Sequence, residues 1–258
     1  MNAAAVFDYR SQPKEWAPCV CNLCGRRYRH DCGRRERVDR YGYEVGVVEC
    51  LCGLVFLYPR MTREAYAEFY AHHFRPLLSA LYGEPFTAKT IQASQRCYAE
   101  PLVWFLSPHV KPGTLLDVGG STGVVARRLA ERFGLKATVL DPAGDELLEA
   151  EGMERIPALV EEWDPAGRTW DLITLCQTVD HLLDIAGTLK KLKGCLAPGG
   201  HLFVDIADYN RRPTLKIDHP YYLTPKTIEA YFDRAGLRVV RVHAVKGDYH
   251  VRYLCQSR

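Results

Sequence analysis

Short apolar runs alternate with amphipathic segments from Gly113 onward. TLLDVG, KATVLDP, DLITLCQT and HLFVDIAD have the length and composition of buried strands, and VVARRLAERFG and AGTLKKLKGCL have helical periodicity. A further short helix is expected after KATVLDP. Strands that alternate with helices predict a parallel sheet covered by helices. Near the end of the chain, GLRVVRVHAV and YHVRYLCQS flank KGD, a turn-like break that predicts an antiparallel hairpin at one sheet edge.

The preceding part of the chain shows two other patterns. Residues 1–60 contain short β-like runs, such as EVGVVEC and GLVFLY, whereas residues 61–112 are helical, with aromatic residues three and four positions apart. Pro101 lies inside the second helical segment and is expected to break or kink it. We therefore predict a small module over 1–60, a helical linker or lid over 61–112 and an α/β domain over 113–258.

Composition narrows the class of protein. A chain of 258 residues with 47% hydrophobic content can form one full domain and a small additional module. The net charge of +3 gives no general attraction to nucleic acid or membranes. The sequence has no apolar run long enough to span a membrane, and its start turns polar too early for a signal peptide. We expect a soluble, cytoplasmic protein with neither a membrane nor a nucleic-acid partner.

The stretch LLDVGGSTGVVARRL places a glycine-rich turn between a strand and a helix. Glycines allow close approach of a ligand to the backbone, and a helix N-terminus offers amide donors. The dinucleotide pattern GxGxxG fails, because Ser121 and Val124 stand where it needs glycine. The pattern DxGxxxG fits at Asp117, Gly119 and Gly123. A carboxylate at this position repels a pyrophosphate and suits a cationic ligand.

This stretch resembles the first motif of the class I S-adenosylmethionine-dependent methyltransferases, with Ser121 in place of the usual middle glycine. Ser121 or Thr122 is expected to cap the helix that begins near Val124. KATVLDP ends in Asp141, 18 residues after Gly123, and a carboxylate there can accept both ribose hydroxyls. Asp141 can alternatively cap a helix before its proline.

Further motifs extend the resemblance over roughly residues 113–256. WDLITLCQTVDHLLD resembles the fourth motif, and LKKLKGCLAPGGHLFVDIAD resembles the helix, turn and fifth strand after it. In LVEEW, the resemblance puts Glu161 or Glu162 near the adenine. It implies a Rossmann-like α/β fold with a mostly parallel seven-stranded sheet. The predicted cofactor-binding residues are Asp117, Gly119, Gly120, Ser121, Gly123, Asp141, Glu161, Cys176 and Gln177.

Cysteines cluster near the N-terminus. CNLCG contains Cys21 and Cys24, and VECLCG contains Cys50 and Cys52. Paired thiolates at such spacing are typical zinc ligands. The pattern resembles the zinc ribbon that precedes the methyltransferase domain in sugar-modifying and natural-product methyltransferases, except that Glu49 replaces a cysteine. We predict a structural zinc held by Cys21, Cys24 and Cys52, with buried free cysteines as the alternative. The fourth ligand stays open among Cys50, Cys32, Cys19 and His30.

Methyl transfer to a hydroxyl or acidic carbon requires removal of a proton. TVDHLLD places His181 just after the fourth strand. DHPYYLTP contains His219, Tyr221 and Tyr222 and resembles a segment that borders the acceptor pocket in sugar methyltransferases. We predict His181, His219 and Tyr222 as catalytic residues, with structural packing as the alternative for each. Asp205 is expected to face the same pocket.

These features predict a methyltransferase that uses S-adenosylmethionine, contains Zn²⁺ and acts on a sugar, a sugar nucleotide or a secondary metabolite. One alternative is an RNA methyltransferase whose zinc module and arginines between Arg26 and Arg40 bind the substrate. The modest net charge and the acidic residues among those arginines argue against it. The other alternative is a non-catalytic S-adenosylmethionine-binding protein. The methylated atom and the oligomeric state stay open.

Overall fold

The computed structural model describes residues 6–16, 18–29, 33–142, 152–244 and 247–258. The chain divides into two compact units. The N-terminal unit comprises Met1–Thr87, Asp180–Leu183 and Ala207–Ile228. The sheet unit comprises Ala88–Val179, Asp184–Ile206 and Glu229–Arg258.

The N-terminal unit consists of short strands followed by helices. Its strands are β1 (Lys14–Glu15), β2 (Cys19–Val20), β3 (Arg27–Tyr28), β4 (Arg34–Val38), β5 (Glu44–Glu49), β6 (Val55–Leu57), β7 (Arg60–Met61) and β13 (Tyr221–Tyr222). Its helices are α1 (Arg63–Glu68), a π-helical turn (Phe69–His73) and α2 (Phe74–Tyr82). β5 and β6 are the strands predicted from EVGVVEC and GLVFLY.

An antiparallel sheet in the order β13-β6-β5-β4 organises this unit. The late segment of the chain joins it because Tyr221 and Tyr222 pair with Phe56 and Val55. Thr62 starts the first helix by accepting a hydrogen bond from the Ala65 N–H at 3.2 Å. Helices α1 and α2 lie within residues 61–112, the segment whose periodicity predicts helices.

The sheet unit alternates strands and helices. Its helices are α3 (Ala88–Leu106), α4 (Val124–Phe133), α5 (Ile185–Gly194) and α6 (Pro225–Ala235). The first residues of α6 belong to the N-terminal unit. Its strands are β8 (Gly113–Val118), β9 (Leu135–Leu140), β10 (Glu154–Ile156), β11 (Trp170–Leu175), β12 (Leu196–Ala207), β14 (Leu237–Ala244) and β15 (His250–Ser257). A 3-10 turn covers Val179–His181. The short helix expected after KATVLDP falls on residues 143–151, outside the described residues.

Within the described ranges, one sheet has the order β10-β9-β8-β11-β12-β15-β14. The pairs from β10 to β12 are parallel, and β14 and β15 pair antiparallel at the edge. The predicted Rossmann-like fold, with a mostly parallel sheet and an antiparallel hairpin, is confirmed. β8 and β11 are neighbours in the middle of the strand order, so the direction of the chain connections reverses between them. Ligands of such sheets bind at this point, beyond the carboxyl ends of the strands.

Of the break or kink expected at Pro101, the break does not occur, because helix α3 continues through this residue. Proline removes one backbone donor, which costs about 3 kcal/mol inside a helix. Three residues that follow it, Leu102, Phe105 and Leu106, are fully buried in the core under the sheet. Burial of such side chains contributes about 1.5–3 kcal/mol each, which outweighs the lost hydrogen bond.

No helix among the described residues is long and apolar enough to cross a membrane.

Helix α5 begins with a side-chain cap whose removal should weaken the sheet unit. Asp184 Oδ1 accepts a hydrogen bond from the Gly187 N–H at 2.9 Å. We expect Asp184→Ala to lower the free energy of unfolding by about 1 kcal/mol, measured by urea unfolding followed by circular dichroism. Lys190→Ala, at an exposed position of the same helix, serves as the control and should change it by less than about 0.5 kcal/mol. Equal effects would contradict the capping role.

Candidate cofactor site, histidine cluster and cysteine cluster

The glycine-rich turn between β8 and α4 has no room for side chains at two positions. Gly119 has a φ of 70°, and a Cβ there would lie 2.5 Å from the Thr178 side chain. A Cβ on Gly120 would lie 2.7 Å from Asp117 Oδ2. Only glycine fits both places without a shift of the neighbouring groups. The backbone at this turn therefore lies directly against the end of the sheet.

Neither Ser121 nor Thr122 caps α4, so that expectation is wrong. Gly123 occupies the cap position with a φ of 76°, and no side chain bonds to the helix start there. Ser121 has a left-handed φ of 49° and donates its backbone N–H to Asp141 Oδ2 at 2.8 Å. The Thr122 hydroxyl instead donates to Gln95. The first turn of α4 thus presents amide groups that a ligand can use.

Asp117 is a buried carboxyl group with an unsatisfied oxygen. Its Oδ1 accepts a hydrogen bond from the Thr174 hydroxyl at 2.6 Å. Its Oδ2 is buried and has no hydrogen-bond partner among the described residues. Burial raises the pKa of Asp117 to about 7, and the charge of Asp141 adds to the effect. A cationic ligand beside Oδ2 would compensate this desolvated charge.

Asp141 follows β9, the strand next to β8, so the two carboxyl groups lie at the same edge of the sheet. Asp141 is 8% exposed and accepts the Ser121 N–H described above. Its own backbone N–H donates to the Ile156 carbonyl at the end of β10 at 3.1 Å. The turn, Asp117 and Asp141 therefore form one connected group within the sheet unit.

The loop after β10 carries Glu161, which is half-buried, and Glu162, which is exposed. Lys191 of α5 holds this loop, because its Nζ donates to the carbonyl oxygens of Val160, Glu161 and Trp163 at 2.9, 3.0 and 2.9 Å. The ammonium group thereby fixes the backbone around Glu161.

Cys176 and Gln177 follow β11. Burial raises the pKa of the Cys176 thiol well above its usual range, and the charges of Asp117 and Asp205 add to this. The thiol is therefore neutral between two carboxyl groups. Gln177 has a left-handed φ of 53°, and its side-chain amide lies 3.4 Å from His250 Nδ1.

Asp205, at the end of β12, is fully buried among polar partners. Its Oδ2 accepts the Tyr98 hydroxyl at 2.7 Å, and its Oδ1 lies 3.2 Å from His250 Nδ1. Arg252 Nε lies 3.5 Å from Oδ2. The sequence analysis missed His250 as a site residue, because no local pattern distinguishes it within YHVRYLC. We call Tyr98, Asp205, His250 and Arg252 the Asp205 cluster.

The predicted bases His181 and His219 both lie in a polar cluster of the N-terminal unit. Their ring centroids are 4.3 Å apart. His219 Nδ1 lies 2.7 Å from Asp180 Oδ2, and its Nε2 lies 3.2 Å from Lys216 Nζ and 3.5 Å from Asp218 Oδ2. Burial favours neutral Asp180, but the charge and hydrogen bond of His219 outweigh it and hold the pKa of Asp180 below its usual range. The Asp180 carboxylate orients the His219 ring.

His181 Nδ1 lies 2.6 Å from the Tyr70 hydroxyl and 3.2 Å from the Asp218 carbonyl oxygen. Tyr70 donates its hydroxyl hydrogen to that same carbonyl at 2.8 Å, so its oxygen is left to accept from His181. Burial, followed by the charge of His219, lowers the pKa of His181 to about 4. His181 is therefore neutral at pH 7, with a hydrogen on Nδ1.

The tyrosines of DHPYYLTP form hydrogen bonds inside the N-terminal unit. The Tyr222 hydroxyl donates to the Lys216 carbonyl at 2.8 Å and accepts the Lys216 N–H at 3.0 Å. The Tyr221 hydroxyl donates to the Leu183 carbonyl at 2.9 Å and accepts from Arg60 at 2.9 Å. Tyr222 thus fixes the backbone of Lys216, which contacts His219.

Four thiols converge in the N-terminal unit. The sulfur atoms of Cys21, Cys24, Cys50 and Cys52 all lie within 4.8 Å of one another. Cys21 Sγ is 3.6 Å from Cys52 Sγ, and Cys24 Sγ is 3.5 Å from Cys50 Sγ. Of the candidates for a fourth ligand, Cys50 belongs to this group and Cys19 does not, while Cys32 and His30 lie outside the described residues.

Comparisons with known proteins agree with this fold. The family model described as "Methyltransferase domain" matches residues 91–242, more than half of the chain. The chain therefore belongs to this methyltransferase-domain family.

The relatives found are distant or partial. A ubiquinone biosynthesis O-methyltransferase of Methylobacterium sp. (strain 4-46) is 31% identical over 98 residues, which are 35% of this chain and 39% of that protein. A methyltransferase structure from Clostridium acetobutylicum ATCC 824 has a TM-score of 0.54 at 14% sequence identity. The match covers 63% of this chain and 92% of the Clostridium chain. The mitomycin 7-O-methyltransferase MmcR has a TM-score of 0.54 at 19% identity, over 71% of this chain and 57% of its own. The two structures show the fold alone.

The close packing at Gly119 predicts a binding defect. Gly119→Ala combines a strained φ with a Cβ only 2.5 Å from Thr178, so the turn must shift. We expect the dissociation constant for S-adenosylmethionine, measured by isothermal titration calorimetry, to rise about tenfold or more. Gly199→Ala is the matched control, because Gly199 also has a positive φ, 78°, but no atom within 4 Å of an added Cβ. Equal losses in both variants would contradict a local role of the turn.

Proposed function

We propose that this enzyme transfers a methyl group from S-adenosylmethionine to a small molecule and holds the cofactor at Asp117, the glycine-rich turn and Asp141. The observation that carries the proposal is the buried Asp117 Oδ2, which has no hydrogen-bond partner among the described residues and lies beside the glycine-rich turn that leads into α4. The residues fit the cofactor, because a methyl donor with a positive charge compensates the buried carboxylate. A pyrophosphate would be repelled there.

The remaining predicted contacts complete this proposal. Bound S-adenosylmethionine supplies an electrophilic methyl group on a sulfonium sulfur. Asp141 is proposed to accept the ribose hydroxyls, and the first amides of α4 to donate to the ligand. Glu161, on the loop held by Lys191, is proposed to lie near the adenine, and Cys176 and Gln177 are proposed to line the cofactor.

For the acceptor, we propose a sugar, a sugar nucleotide or a secondary metabolite. The partial relative is named for ubiquinone biosynthesis and the structural neighbour MmcR for mitomycin, and both names refer to small molecules. The net charge of +3 does not favour RNA as the substrate. His181, His219 and Tyr222 stay predictions as catalytic residues; the Asp180–His219 pair has the geometry by which a carboxylate orients a histidine base.

We also propose that Cys21, Cys24, Cys50 and Cys52 hold a structural zinc ion. Zinc–thiolate bonds are about 2.3 Å long, so sulfurs around a tetrahedral ion lie about 3.8 Å apart. The sulfur separations of 3.5 and 3.6 Å are close to this value. Four thiolate ligands leave no open position for a water, which favours a role in folding of the N-terminal unit over a role in chemistry.

Cofactor binding should depend on pH through Asp117. Its pKa is raised to about 7, and the cationic ligand favours the ionised form. The affinity is therefore full above pH 7 and decreases as the carboxylate is protonated below it. We expect the dissociation constant for S-adenosylmethionine, measured by calorimetry, to increase about tenfold from pH 8 to pH 6.

Asp117→Asn should bind more weakly at pH 8 and lose this pH dependence, because its amide does not titrate in this range. Asp164→Asn, at an exposed position of the same unit, is the control and should keep the wild-type profile. An unchanged pH profile in Asp117→Asn would show that another group is responsible.

Metal analysis tests the cysteine cluster. We expect the purified protein to contain about one zinc per chain by plasma mass spectrometry, and Cys50→Ser to lose most of it after dialysis against a chelator. Cys97→Ser, at an exposed cysteine of α3, and Cys19→Ser, at a buried cysteine outside the cluster, should retain the metal. Full retention in Cys50→Ser would exclude Cys50 as a ligand.

A further inference from the structure

The Asp205 cluster lies at the same edge of the sheet unit as the proposed cofactor site. Asp205 lies near His250 at one end of β12 and β15, and His201 lies near Gln256 at the other, so the two strands run antiparallel. The start of β15 therefore lies beside the carboxyl end of β12, at the same edge of the sheet as the carboxyl ends of β8 and β11.

The distance between the two groups suits a bound acceptor. Neighbouring strands are about 4.8 Å apart, and Asp205 on β12 is two strands from Asp117 on β8, so about 10 Å separate the two positions. Cys176 follows the strand between them and is influenced by the charge of both carboxyl groups. A ligand held at Asp117 thus has the Asp205 cluster as its neighbour along the edge.

The hydrogen bonds of the cluster determine which nitrogen of His250 carries a hydrogen. Asp205 is completely buried and faces Nδ1, and a carboxylate oxygen can only accept there. The Gln177 side-chain nitrogen, which can only donate, also lies 3.4 Å from Nδ1, but the carboxylate at 3.2 Å is closer and charged. Nδ1 therefore holds the hydrogen, and the lone pair is on Nε2. Tyr98 and Arg252 bind the other oxygen of Asp205 and fix its orientation. A carboxylate that orients a histidine in this way is the usual arrangement of a general base.

We infer that His250, oriented by Asp205, is the base of the methyl transfer and that the acceptor carries a hydroxyl group. This inference rests on the proposed function. His250 Nε2 takes the hydroxyl proton, the oxygen forms a bond to the methyl carbon, and the carbon–sulfur bond breaks with its electron pair going to sulfur. S-Adenosylhomocysteine and the methyl ether result, and the imidazolium then releases its proton to water.

The sulfonium charge offers a test that needs no acceptor. S-Adenosylmethionine and S-adenosylhomocysteine differ in the methyl group and its positive charge, which opposes protonation of a nearby imidazole. Ring-labelled histidine NMR can follow each histidine against pH in the full-length protein saturated with either ligand. If both groups contact the same acceptor oxygen, the titration midpoint of His250 should be at least about one pH unit lower with S-adenosylmethionine than with S-adenosylhomocysteine.

Several groups face His250 and are the same in both measurements: Asp205 from β12, Arg252 from β15, Tyr98 from α3, Gln177 after β11 and the adjacent Tyr249. His201, near the start of β12, is the internal control and should shift by less than about 0.2 pH unit. His250→Gln identifies the resonance. Asp205→Asn should lower its midpoint with either ligand, because the compensating charge is lost.

The outcomes separate this inference from the proposed function. Binding of both ligands with an unchanged His250 midpoint would overturn the inference and leave the proposed function intact. A shift at His181 or His219 in place of His250 would assign the base to the histidine cluster and equally overturn it. If neither ligand binds, the proposed function itself fails.

Discussion

The burial of one carboxyl group, that of Asp117, is the constraint on which the proposed cofactor site depends. Asp117 lies at the end of β8 in the middle of the sheet, where Thr174 satisfies one oxygen and no described residue satisfies the other. A buried charge without compensation is costly, so the native state favours either a proton or a positive ligand there. Gly119 and Gly120 let the backbone of the turn pack directly against Thr178 and Asp117, because a Cβ at either position would clash with these side chains.

Much of the sheet unit and its cofactor turn could be predicted, because the relevant signals are local. Apolar runs of strand length mark β8, β9 and β11, and Asp117 and Asp141 each lie at the end of such a run. The signal from Cys21 and Cys24 is likewise local, because the two cysteines share one turn. Cys50 could not be selected from spacing alone, because its proximity to Cys24 depends on how β5 and β6 return the chain.

Predictions failed where tertiary contacts compete with local preference. The burial of residues after Pro101 maintains α3, and the contact of Thr122 with Gln95 removes it from the capping position. His250 approaches Asp205 only because the last strand runs back along β12, a contact over 45 positions of sequence. Single-sequence patterns do not encode such pairings. The role of Lys191 could not be predicted for the same reason, because its three carbonyl partners lie about thirty positions earlier in the sequence.

Helix α3 contacts two functional groups from one face. Gln95 accepts from Thr122 in the glycine-rich turn, and Tyr98, three residues later, donates to Asp205. Residues three positions apart project from the same side of a helix, so α3 holds the Gln95 and Tyr98 side chains in a fixed relative position. A rotation or sliding of α3 cannot disturb one contact without the other. The hydrogen bonds at the glycine-rich turn and at Asp205 therefore depend on the position of one helix, so a substitution that displaces α3 would alter both places together.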